Sequence, residues 1–292
     1  MTDDNLFPIV EAISLFGDPL YRMPLIPEIY EKQNELFEIA LDNYNKDTTN
    51  AENLIWLGRR VAYLGRFRDA ISIFTRGIKE FPNDARMYRH RGHRFITLRL
   101  FKLAVEDFTK ASQLIKDTKD ETEPDGMPNA RGIPVSSLHS NIWYHLGLAH
   151  YLNDDYSNAL IAYKKCMKIS KLADNYVSTG HWMYMTLRLL DKEKEANEIL
   201  ENVTDDMDII ENHQYYDCLL MYKGKIDPEE LLEKARQQGG FALATVGYGI
   251  ANWYYYNKQE AKAIELFNEI MKLKNWASFG YIAAENDLKK IK

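Results

Sequence analysis

"WLGRRVAYLGRFRDAISIFTRGIKEFPND", residues 56–84, decides the fold. It reads as two helices in succession, the second ended by Pro82. Gly58 is followed by Ala70 after 12 residues and by Phe74 after four more. The same trio returns 34 residues later as Gly92, Ala104 and Phe108. It returns again as Gly147, Ala159 and Tyr163, each 55 residues beyond its counterpart, so one 21-residue insertion accounts for all three offsets. Three landmarks that share one offset define a repeat, and a repeat has to be recognised before anything else about the fold is argued.

The frame then loosens. Ala159 to Ala196 is 37 residues and Ala196 to Ala263 is 67, which leaves room for a degenerate unit between the last two. "NHQYYDCLLMYKGKIDPEELLEKA" fits that place, with its turn between Gly224 and Pro228. The pattern resembles the tetratricopeptide repeat (TPR), a 34-residue helix–turn–helix. The first unit supplies Leu57-Gly58, Ala70, Phe74 and Pro82, and the third supplies Trp143, Leu146-Gly147, Ala159 and Tyr163. Small residues let two helices approach closely, and large ones fill the space to the next pair.

The resemblance implies an all-α, right-handed α-solenoid of about six helix–turn–helix repeats with capping helices. Residues 1–50 form an N-terminal extended segment and capping helix in this division, and residues 51–275 form the array. Its units lie near 51–84, 85–116, 140–173, 177–208, 212–240 and 244–275, with an insertion at 117–139. Residues 276–292 form a C-terminal capping helix. "IPEIYEKQNELFEIALDNYN" has apolar residues at helical spacing and an acidic outer face. "SLFGDPLYRMPLIP", upstream of it, is proline-punctuated and reads as extended chain lying against the array.

Composition narrows the function classes. The net charge is −6, which argues against a nucleic-acid binder, and no apolar run reaches membrane-spanning length. The two cysteines, Cys166 and Cys218, show no metal-ligand spacing and make a disulfide framework unlikely to be the organising device. "MTDDNLFPIV" opens with acids where a signal peptide needs bases. The expected location is the cytoplasm, or outside it for a mature form whose leader has been removed. Charge is unevenly spread: residues 1–50 carry 3 basic and 10 acidic side chains, whereas 51–116 carry 14 and 6. A basic block beside an acidic segment reads either as intramolecular charge matching or as a surface for anionic ligands.

"RHRGHRF", residues 89–95, sits in that block. The resemblance assigns the concave face to positions 2, 5, 6, 9 and 12 of each unit, and helical periodicity makes four of these one stripe. The ligand-binding candidates are then Arg59, Arg86, Arg89, His90 and His93 in the first two units. Asn141, Tyr144 and His145 follow in the third, His181 and Trp182 in the fourth, His213 and Tyr216 in the fifth, and Tyr248 and Asn252 in the sixth. Arginine forks recognise carboxylate or phosphate, and aromatic faces accept flat or apolar groups. The same arginines also suit internal ion pairs, with Glu52, Asp217 and the acidic N-terminal segment as partners.

The insertion, "DTKDETEPDGMPNARGIPVSSLH", begins acidic and solvated and continues with turn residues that suggest order, so it reads as a lid over one wall of the groove or as a plain surface excursion. No phosphate-loop, dinucleotide, zincin or nucleophile-elbow motif is present. His90 and His93 have the spacing of a metal pair, but polar lining is the simpler reading, and no metal, cofactor or catalytic residue is assigned. The expected function is a non-enzymatic TPR interaction module that binds a peptide or partner protein segment bearing an acidic group. The alternative is an anionic small-molecule or catalytic pocket roofed by the 117–139 loop. Sequence leaves the oligomeric state open.

Overall fold

Asn50, Asp84 and Ser137 each hold the chain extended just before a helix and use a side-chain oxygen to accept a backbone N–H of its first turn. The caps differ in residue but not in physics: each satisfies a donor that the first turn would leave orphaned. A computed structural model describes residues 8–291. In chain order it has β1 (Val10–Ile13), β2 (Pro19–Tyr21), α1 (Pro27–Lys46), α2 (Ala51–Tyr63), α3 (Phe67–Glu80), α4 (Ala85–Thr97) and α5 (Phe101–Leu114). There follow α6 (Leu138–Leu152), α7 (Tyr156–Ile169), α8 (Ala173–Leu189), α9 (Glu193–Glu201), α10 (His213–Tyr222), α11 (Pro228–Gln238), α12 (Gly240–Tyr256), α13 (Glu260–Ile270) and α14 (Phe279–Ile291). Helices α2 to α13 pair in sequence as six antiparallel hairpins, and the architecture is an all-α repeat array with TPR-like units.

Two backbone features repeat through the hairpins. The first is a left-handed residue closing the first helix of each pair: Gly65, Arg99, Asp154, Asp191, Gly224 and Lys258, with φ between 57° and 78°. Only two of the six are glycine, so four side chains tolerate a conformation that L residues avoid. The second is a glycine pressed against an aromatic ring. A Cβ on Gly58 would stand 2.5 Å from the Phe74 ring, one on Gly92 2.9 Å from Phe108, and one on Gly147 2.5 Å from Tyr163. Phe74, Phe108 and Tyr163 are fully buried there, as are Ala70, Ala104, Ala159, Ala196 and Ala263 at the matching helix crossings.

The chain divides into two compact units, Met1–Thr118 and Lys119–Lys292. In the first, β1 and β2 form a short antiparallel hairpin where extended chain was expected. Glu11 pins it to the helices. Its buried carboxylate takes both Nε and Nη2 of Arg22, at 2.9 and 2.6 Å, and the backbone N–H groups of Phe67 and Arg68 at the start of α3. Arg66, just before α3, offers no capping side chain, and Glu11 does that work from 56 residues away. The reading of "MTDDNLFPIV" as an acidic opening falls largely outside the described residues.

In the second unit, α14 does more than cover the last hairpin. Gly280 lets its first turn approach the backbone of Ala244, where a Cβ would meet the carbonyl at 2.0 Å, and the helix reaches as far as α6. The Asn286 amide donates to the Leu152 carbonyl at 3.0 Å, and Tyr248 donates to Asp287 at 2.9 Å. Boundaries shift in the loose part of the repeat: α8 begins at Ala173 and α12 at Gly240, each about one turn before the expected unit start. If Ala104 marks a helix crossing, Ala104→Leu should destabilise the protein by roughly 1–3 kcal/mol through overpacking. Thermal melting that leaves the variant unchanged would place Ala104 off the crossing.

Candidate functional site

Two polar clusters stand out, one in each unit. In the first, α2 and α4 lie side by side and bring Arg59, Arg89 and His90 into the interior, each under a tenth exposed. The Arg59 guanidinium sits 4.2 Å from the centre of the Trp56 ring, and the His90 ring stacks on Phe74 at 5.4 Å. Arg89 Nη1 stands 3.0 Å from His90 Nδ1. A guanidinium can only donate, so Nδ1 accepts and the imidazole proton is on Nε2. Burial first, and then the charges of Arg89, Arg59, Arg94 and Arg86, hold His90 well below the ordinary imidazole value. It is a neutral ring among four guanidiniums.

Arg86 and Arg91 have visible duties, and the Arg94 guanidinium lies 5.5 Å from the centre of the Phe67 ring. Arg86 donates to Asp84 and, at 2.5 Å, to Glu52, and the hydrogen bond to Asp84 is the main reason its value is raised. Arg86 is therefore an internal ion-pair residue. Arg91 faces the second helix of the hairpin and forks onto Asp107 at 2.8 and 2.7 Å. His93 is half-buried on α4.

In the second unit, α6, α8 and the start of α10 line a half-open cavity of about 200 Å³. Asn141, Tyr144 and His145 line it, as expected for one stripe of α6, together with Ser178 and Thr179 of α8 and Tyr215 of α10. The insertion forms one wall through Val135 and Ser136. It is tied down by Arg131 to Asp208 at 2.7 Å and Asn129 to Glu211 at 3.0 Å, and braced within itself by the Ser137 hydroxyl to Asp120 at 2.7 Å. The Tyr144 hydroxyl lies 3.5 Å from that of Tyr215, and burial pushes both phenols up. Beside them the Tyr163 hydroxyl is buried with no hydrogen-bond partner among the described residues, and the Trp182 indole N–H neighbours both phenols. Cys166 also borders the cavity, with its thiol 3.3 Å from the Thr179 hydroxyl, and burial raises it to about 11, so it stays protonated.

The other expected lining residues are not at this cavity. His181 and Trp182 are buried, the former stacked on Tyr222 and the latter on Tyr248. Tyr248 and Asn252 belong to an internal network in which the Tyr151 and Tyr248 hydroxyls meet at 2.6 Å and the Asn252 amide donates to Tyr151. The C-terminal helix closes this network through Asp287, which is why the first helices α6 and α12 do not present it to a ligand. Tyr216 turns its hydroxyl to the Thr204 carbonyl at 2.6 Å, and its neighbour Tyr215 takes the place at the cavity. His213 is exposed at the start of α10. Asn175, Glu211 and Asn212 also line the cavity and carried no sequence signal, because they lie at helix ends and in the irregular segment before α10. Among the described residues no group of three or more His, Cys, Asp or Glu is placed to hold a metal ion. No helix among them is long and apolar enough to cross a membrane.

No protein-family model matches the chain, and no curated protein matches it. Several solved structures are similar to it. One is YrrB, described as a TPR protein with an unusual peptide-binding site, at 14% identity and TM-score 0.45, covering 87% of this chain and 99% of that one. Another is MamA, at 15% identity and TM-score 0.45, covering 69% and 100%. A third is MamA from Desulfovibrio magneticus RS-1, at 15% identity and TM-score 0.42, covering 61% and 94%.

The buried histidines make stability pH-dependent. Burial lowers His181 to about 3 in the fold, against about 6.5 unfolded. Above pH 6.5 both states are neutral and nothing is lost. Below it the unfolded chain takes up a proton that the fold refuses, so stability falls by about 1.4 kcal/mol per pH unit until the folded value is reached. Between pH 7 and pH 5, His181→Leu should therefore lose about 2 kcal/mol less than the wild type in denaturant titrations. Equal losses would show that His181 is accessible to protons in the folded state.

Proposed function

We propose that this chain is a binding module, without catalytic turnover, that holds a segment of a partner protein through an acidic group at the α2–α4 face of the first unit. The observation that carries this reading is the pair of buried guanidiniums, Arg59 and Arg89, gathered with His90 between α2 and α4. A carboxylate that meets such forks gains charge-assisted hydrogen bonds. Arg59 and Arg89 are the residues assigned to that recognition, with His90 and His93 beside them. Arg86 contributes charge but is engaged with Glu52 and Asp84.

A second reading, a small-molecule site roofed by the 117–139 insertion, is favoured by the cavity between α6, α8 and α10. That cavity does not suit an anionic ligand: none of its thirteen lining residues is Lys or Arg, and Glu211 is among them.

Calorimetric titration of Asp- and Glu-containing peptides selected on the wild-type protein tests the first reading. Arg89→Ala should weaken them by about 1.5–3 kcal/mol, the value of a hydrogen bond to a charged group. Because Arg89 is buried against His90, its loss should also lower the melting temperature without peptide, and affinity is the deciding readout. Unchanged affinity together with a lowered melting temperature would make Arg89 a structural residue and remove the acid-recognition role.

A further inference from the structure

Three oxygen atoms that line the cavity of the second unit are placed to accept hydrogen bonds. Both amide protons of Asn141 are donated, to Glu123 Oε2 at 2.9 Å and to the Ser136 hydroxyl at 3.0 Å. A carboxylate oxygen cannot donate, so the amide orientation is fixed and Asn141 has its carbonyl oxygen left to offer. The Asn212 amide donates one proton to the Asp174 carbonyl at 3.4 Å, which leaves Oδ1 as an acceptor beside a second N–H. The Ser178 hydroxyl gives its proton to the Asn175 carbonyl and keeps its lone pairs. Three oxygens around one cavity are thus acceptors.

Charge points the same way. Glu211 lines the cavity, and its carboxylate shares the region with those of Asp174 and Asp125. Asp174 is fully buried and spends its oxygens on the backbone N–H groups of Ile210, Glu211 and Asn212. Arg131 is bound to Asp208, and no Lys or Arg lines the cavity. Glu211 is exposed at the edge of the cavity, and partial desolvation, opposed by Asn129 and aided by Asp125 and Asp174, holds it above the ordinary carboxylate range. The aromatic side chains of Tyr144 and Tyr215 complete the wall, and the unpartnered, fully buried Tyr163 hydroxyl lies close enough to Tyr215 and Cys166 to interact with both. Aromatic faces attract organic cations.

We propose that this cavity binds a primary ammonium on an aliphatic stem, with Glu211 as its counter-ion, the oxygens of Asn141, Ser178 and Asn212 as acceptors, and Tyr144 and Tyr215 against the stem. The inference rests on the cavity being a binding site and is separate from acid recognition by the first unit. A lysine side chain of a partner and a free alkylamine share this chemistry.

The test is fluorine NMR of the full chain carrying 5-fluorotryptophan. The signal of Trp182, which neighbours both Tyr144 and Tyr215, is assigned by comparison with Trp182→Phe. Butylammonium chloride should shift that signal saturably, while sodium butyrate and potassium chloride should not. Glu211→Gln should weaken butylammonium about tenfold or more, the loss of one charge-assisted hydrogen bond, and its unchanged spectrum should show that the fold is intact. Arg89→Ala should leave this titration untouched, so a failure of acid recognition would not be mistaken for a failure here. Tighter binding of Nα-acetyl-lysine-N-methylamide than of 1,5-diaminopentane would name a protein lysine as the source, and the reverse order a free amine. No saturable shift with butylammonium, an equal shift with potassium chloride, or a preference for butyrate would each overturn the proposal.

Discussion

The contact on which the fold depends is a glycine in the first helix of a hairpin set against an aromatic ring in the second. With no side chain at Gly58, Gly92 or Gly147, the ring of Phe74, Phe108 or Tyr163 lies directly on the helix backbone. That contact sets how closely the two helices approach and buries the ring completely. Everything else in the hairpin follows. The alanine four residues before the ring must be small because the next crossing is there, and the left-handed residue must reverse the chain within a few residues to make the approach possible.

The three regular hairpins were legible because this contact needs particular residue types at fixed spacing. Where other residues do the same job, the signal faded. A Cβ on Gly180 would meet Ile199 at 3.3 Å and one on Gly247 would meet Ile270 at 3.4 Å, looser approaches to aliphatic side chains that do not demand an aromatic. The left-handed turns were hidden for a related reason: Arg99, Asp154, Asp191 and Lys258 hold a conformation that glycine would have announced. Glu11 could not be read at all, since its role depends on a contact with residues 56 and 57 positions away. The candidate site was legible in part. One helical stripe brings Asn141, Tyr144 and His145 to a single pocket, whereas Tyr248 and Asn252, assigned to the same face, lie under α14. Tyr215 lines the pocket, and Tyr216 turns to the Thr204 carbonyl.

The two units differ in chemistry. The first gathers guanidiniums around a neutral imidazole, and the second gathers acceptor oxygens and a carboxylate around a cavity. Regular repeats supply the platform for both. The departures from regularity supply the chemistry: the run of basic residues on α4, the long insertion that walls the cavity, and the early start of α8 that brings Asn175 to its edge. A uniform array would carry neither site.

A double-mutant cycle on Gly58 and Phe74 tests the central claim most directly. Alanine normally favours a helix over glycine by about 1 kcal/mol. The account predicts that Gly58→Ala nonetheless lowers stability in denaturant titrations, and that it costs less in a Phe74→Leu background, where the ring no longer occupies the space of the new Cβ. A stabilising Gly58→Ala, or strictly additive effects of the two substitutions, would show that the hairpin does not depend on this contact.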